Sequence, residues 1–138
     1  MRAAALLLKA DSSVEAALAE RGCEVSVAGR DVARGWGAAV RQVLATTRAP
    51  ALVVDARPGE LDALLGPIER DEADVVLGRR PRVALAERAV NRVAGLALQD
   101  EGPWDALSPA RAFRVEALSA EPVRADGDEA EAEALVRL

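Results

Sequence analysis

The sequence predicts a three-layer α/β/α domain, helices on both faces of a mostly parallel sheet. Three observations carry that prediction. Apolar runs of strand length fall at Ala3–Leu8, Glu24–Ala28, Ala51–Val54 and Ala73–Leu77. They are nearly unbroken rather than alternating, as strands covered on both faces must be. Helical patterns separate them, and 138 residues with 51% hydrophobic content make a single domain, residues 1–138, able to bury a core.

Taken in order, Ala3–Leu8 supplies the first strand. The opening "MRAAALLLKAD" has the basic start of a secretory leader, but its apolar run is short and passes into Lys9 and Asp11 without a small-residue cleavage site. Asp11 or Ser12 caps a helix running to about Glu20, with Gly22 as its stop signal. After Glu24–Ala28, Trp36, Val40, Val43 and Thr47 recur at helical spacing. Leu61, Leu64, Leu65 and Ile68 do the same after Ala51–Val54, with Pro67 set to kink or shorten that helix. A helix from about Val83 to Leu98 follows Ala73–Leu77, with Ala86, Val90, Val93 and Ala97 on one stripe. A strand-like piece spans Ala110–Val115. The tail "ADGDEAEAEALVRL" opens with carboxylates, which suit a helix N-terminus, and closes on apolar residues.

Composition narrows the function. A net charge of −5 argues against nucleic acid, whose phosphates need a basic face. No window approaches the ~20 apolar residues of a membrane span. A lone Cys23, in an apolar strand, excludes an internal disulfide and fits a reducing, cytoplasmic compartment. Aromatics are confined to Trp36, Trp104 and Phe113, so alanine, leucine and valine must fill the core. Among the 18 basic residues Lys9 is the only lysine.

In open α/β sheets ligands sit beyond the carboxyl ends of the strands. That rule selects Lys9–Ser13, Gly29–Gly35, Asp55–Gly59 and Gly78–Arg82, three of which carry arginine. Arginine forks and close glycine backbone suit an anionic ligand. Exposed loops rich in arginine for compositional reasons are the alternative.

Specific stretches resemble the family 2 glycosyltransferases, in particular the dolichyl-phosphate mannosyltransferase-like branch. "DALSPARAFRVEAL" is similar to that family's "D-x-x-S-G-F-R-A-x-R-R-E-A-L" through Asp105, Ser108, Arg111, Ala112, Arg114, Glu116, Ala117 and Leu118. "ARGWGAAVRQVLA" resembles its "N-x-G-K-G-x-A-x-R" through Gly35, Gly37, Ala39 and Arg41. "EADVVLGRR" matches through Asp74, Val76, Gly78 and Arg80, and "ALVVDAR" resembles the strand bearing an Asp-x-Asp motif. The blocks keep the family's order over most of the chain.

The resemblance implies a reduced form of the nucleotide-sugar-binding fold called GT-A, and sugar transfer from a nucleotide-sugar donor to an acceptor hydroxyl. It places Asp55 on a metal, Mg or Mn, and on the donor diphosphate. Asp11, Arg57, Arg80 and Arg111 join it on the donor side, and Asp105 is the catalytic carboxylate by the acceptor. Arg114 flanks the pocket or supports its loop. The departures from the family gather at the chemistry. Arg57 stands where the second carboxylate of Asp-x-Asp belongs, Trp36 replaces a lysine, Ala33 an asparagine and Pro109 a glycine. The family's first strand and its C-terminal membrane-associated helices have no counterpart here. Two readings follow: an active transferase with arginine supplying the charge of a metal, or a non-catalytic GT-A-like binding or interaction domain, as a homo-oligomer or with a partner protein.

Overall fold

The computed structural model describes residues 2–78 and 109–137. Five strands, β1 (Ala3–Leu7), β2 (Glu24–Val27), β3 (Ala51–Val54), β4 (Val75–Leu77) and β5 (Arg111–Arg114), form one sheet in the order β2-β1-β3-β5-β4. β1 pairs in parallel with β2 and β3, whereas β5 runs antiparallel to both β3 and β4. The sheet is therefore mixed: four strands share a direction and the fifth is reversed between two of them. β1 is interior, and the edges among the described residues are β2 and β4. The helix expected over Val83–Leu98 lies outside the described residues.

Local chemistry sets the helices. In α1 (Ser12–Glu20) Asp11 is the N-cap: its carboxylate accepts from the Ser13 and Val14 amides, each at 3.2 Å, and from the Ser13 hydroxyl at 2.8 Å. The helix stops at Gly22, whose φ of +83° lets its amide reach the Ala19 carbonyl and that of Cys23 reach Leu18. α3 (Leu61–Glu69) follows a 3-10 turn (Pro58–Glu60), carries Pro67 and ends two residues beyond it. It closes with the same pair of bonds, Asp71 to Ile68 and Glu72 to Pro67. Here the left-handed residue is Asp71, at φ +58°, and its carboxylate accepts from Arg114 at 2.8 Å.

Two cores flank the sheet, which explains the unbroken apolar strands. Ala3, Ala5, Leu7, Val53 and Ala112 face Leu18 of α1 and Leu61, Leu64 and Ile68 of α3. Ala4, Leu6, Leu52, Val54 and Phe113 face the opposite way. They meet α2 (Trp36–Thr46), α4 (Val115–Ala120) and α5 (Glu129–Arg137), through Trp36, Val40, Leu118, Ala130 and Ala134. Trp36 is fully buried and meets Phe113 edge-on at 5.8 Å. It is core, as its stripe with Val40 and Val43 implied.

The amino end of α2 has no side-chain cap. Its Gly37 and Ala38 amides donate instead to the Gly127 and Asp126 carbonyls. Arg41 clamps the same strand of chain, donating to the carbonyls of Val123, Arg124 and Ala125 and to the Asp126 carboxylate. Glu133 of α5 accepts from the Arg124 and Ala125 amides. Residues 123–127 thus form a strap across α2.

Candidate functional site

β1 and β3 end side by side, and between their continuations, α1, α3 and β4 opens a cleft of about 1060 Å³. Its apolar wall includes Leu7, Val14, Leu64, Val76 and Leu77, and its charged groups among the described residues are Lys9, Asp11, Asp55, Arg57 and Glu60. A cleft of this size at the carboxyl ends of strands is where an α/β sheet takes ligands.

Asp55 sits in the left-handed region at φ +50°. Its amide continues the ladder by donating to the Leu6 carbonyl at 2.9 Å, and its Oδ1 then accepts from the Leu8 amide at 3.0 Å. The carboxylate does what the next strand carbonyl would have done, so Asp55 braces the ends of β1 and β3. Burial pushes its carboxyl above the usual range, against the pull of the Leu8 amide and the Lys9 ammonium. Asp11 moves the other way. The Ser13 hydroxyl and then the Val14 amide hold it below the usual range, and the Arg57 charge contributes a smaller pull.

The structure brings Asp11, Asp55 and Arg57 into one cleft, as the strand-end rule implied. Arg111 lies elsewhere. It leads β5 opposite Val54, on the sheet face covered by α5, where it is 2% exposed and paired with Glu131 at 3.2 Å. Burial is the main force raising the Glu131 carboxyl; Arg111 opposes it, and Asp128 and Asp55 add to it. Arg80 and Asp105 lie outside the described residues.

Reversal of β5 also carries Arg114 to the other end of the strands, opposite Ala51 at the start of β3. There it donates to Asp74 and Asp71, each at 2.8 Å, and to the Ile68 and Ala73 carbonyls. It supports the turn between α3 and β4, far from the cleft. The four residues of the glycine-rich segment have a packing role too. A Cβ on Gly35 would meet the Asp126 carbonyl at 2.7 Å and one on Gly37 the Ala125 carbonyl at 1.8 Å, Ala39 is buried, and Arg41 holds the strap.

Lys9 opens one of the strand-end loops that the sequence selects, though the resemblance gives it no role, and Glu60 lies one residue beyond the Asp55–Gly59 loop.

Among the described residues no three His, Cys, Asp or Glu side chains gather as metal ligands. Among the described residues the donor set around Asp55, with one oxygen committed to the Leu8 amide, does not fit a hard divalent ion wanting several oxygens. No described helix is long and apolar enough to cross a membrane.

Fold and cleft together define an α/β domain with a ligand-sized opening at the carboxyl end of a mixed sheet. No protein-family model matches the chain, and no curated protein matches it.

Proposed function

We propose that this chain is a GT-A-like domain, similar to family 2 glycosyltransferases, that binds a nucleotide sugar in the strand-end cleft without the two-carboxylate metal site. The observation that supports it is the meeting, in one cleft of about 1060 Å³, of a strand-end aspartate with two exposed cations, Lys9 and Arg57. Neither cation enters an ion pair with another described residue. Arg57 stands two residues beyond Asp55, where its fork suits a phosphate bidentately and supplies charge that a divalent ion would otherwise bring. Binding, rather than sugar transfer, is the activity this arrangement favours, because the carboxylate that remains is half spent on the backbone.

Thermal unfolding with UDP, GDP and their sugar conjugates, with and without Mg²⁺ or Mn²⁺, tests the reading. A ligand at a hundredfold its Kd adds about 2.7 kcal/mol to the native state, which raises Tm by several degrees. The shift is expected without metal and should vanish in Arg57→Ala. If every nucleotide and conjugate leaves Tm unchanged, the reading is wrong.

A further inference from the structure

We propose that α5 is a latch on the strand-end cleft, linked to it through Arg111, so that the charge of Asp55 sets how firmly α5 docks on the sheet. The link holds whatever the cleft binds.

Three charged groups follow one another across the end of the sheet. Asp55 lines the cleft and directly follows Val54, which is in register with Arg111 on β5. Arg111 is 2% exposed, and its guanidinium grips α5: Nη2 donates to the Glu131 carboxylate at 3.2 Å and Nη1 to the Glu131 carbonyl at 3.5 Å. The apolar hold on α5 is modest by comparison. Its buried side chains among the described residues are Ala130, Ala134 and Leu135, and the alanines offer a methyl each. The charged grip is therefore a large share of what seats the helix.

Asp55 works against that grip. Burial is the main force disfavouring the Glu131 charge; the Arg111 guanidinium opposes it, and Asp128 and Asp55 add their repulsion. Asp128 leads into α5 and moves with it, whereas Asp55 belongs to the cleft. The Asp55 repulsion thus carries the state of the cleft to the helix. It is felt because Arg111 is buried and Glu131 half-buried, where water screens charge poorly. Neutralising Asp55 removes the repulsion and seats α5 more firmly. Linkage makes the effect mutual: a group that neutralises Asp55 binds better while α5 is docked. The signal extends to the strap, because Glu133 of α5 holds the Arg124 and Ala125 amides.

Amide hydrogen exchange on the full chain at neutral pH tests this, with the β3 amides reporting global unfolding and those of Ala130–Leu135 the local opening of α5. Asp55→Asn keeps an oxygen for the Leu8 amide and removes the charge. It should slow α5 exchange, relative to β3, by about threefold or more. In a Glu131→Gln background the same substitution should leave α5 exchange unchanged. Asp55→Gly also removes the charge, tolerates the φ of +50° and lacks the Leu8 bond, and it should slow α5 relative to β3 as well. Asp62→Asn removes an exposed carboxylate on α3 and should not slow α5. No slowing in Asp55→Asn overturns the inference, as does equal slowing with Gln at position 131 or in Asp62→Asn. Slowing in Asp55→Asn without slowing in Asp55→Gly assigns the effect to the Leu8 bond and overturns it too.

Discussion

Gly37→Ala puts the strap to the test. In an isolated helix this exchange stabilises, because alanine is the better helix former by about 1 kcal/mol. Here the new methyl would lie 1.8 Å from the Ala125 carbonyl oxygen and 2.8 Å from the Ala130 Cβ. Backbone must move, since a carbonyl cannot rotate away as a side chain does. Overpacking of that kind costs about 1–3 kcal/mol. Lifting the strap also breaks the bonds from the Gly37 and Ala38 amides to Gly127 and Asp126, at about 1 kcal/mol each. Set against the propensity gain, the net expectation is a loss of about 2–4 kcal/mol, a large share of the stability of a domain this size. Urea unfolding followed by far-UV circular dichroism measures it, with a midpoint lower by about 1–2 M. Gly59→Ala is the control: no atom lies within 4 Å of its added methyl, so its midpoint should stay within a few tenths of the wild type. A Gly37→Ala protein as stable as the wild type would refute the strap geometry.

Two further outcomes follow from the buried charges. Arg111→Ala leaves Glu131 half-buried without its guanidinium and should cost about 3–5 kcal/mol. A double-mutant cycle with Glu131→Gln should give a coupling of about 0.5–3 kcal/mol, and zero coupling would show that the pair does not tie α5 to the sheet. Asp55→Asn should change how stability depends on pH. Because the folded carboxyl titrates above its unfolded value, its contribution is full below the unfolded pKa and is lost as pH rises through the folded one. The variant keeps the Leu8 bond and does not titrate, so its stability relative to wild type should rise across that window and level off above it. Unfolding curves from acidic to neutral pH that keep a constant difference, or a falling one, would contradict the burial of this group.

Much of the fold was legible because it depends on neighbours a turn away. Asp11 caps and Gly22 stops α1 through bonds spanning a few residues, so sequence alone placed the stop and narrowed the cap to Asp11 or Ser12. The central strands β1 and β3 stood out because each is covered twice, and the two cores are that double cover seen in space. Reversal of β5 was not legible, since the pattern Arg-Ala-Phe-Arg places charged and apolar residues alike in either direction and only its neighbours β3 and β4 orient it.

The candidate site divides along the same line. The sequence by itself determined that Asp55 ends a strand and that Lys9, Asp11 and Arg57 follow strand ends, because apolar runs and their stops are local facts. It could not determine what those groups touch. The Asp55 carboxylate answers an amide 47 residues away, and Arg41 reaches a carboxylate 85 residues away. Arg111 offers the same guanidinium as Arg57, yet α5 seals one beneath it while the other lines an open cleft. The space beside Gly35 and Gly37, which the resemblance assigns to a glycine-rich segment, is filled by the chain's own strap. Tertiary structure made these decisions because burial and hydrogen-bond partners belong to elements brought together by packing, and no periodicity within a single element encodes its neighbour.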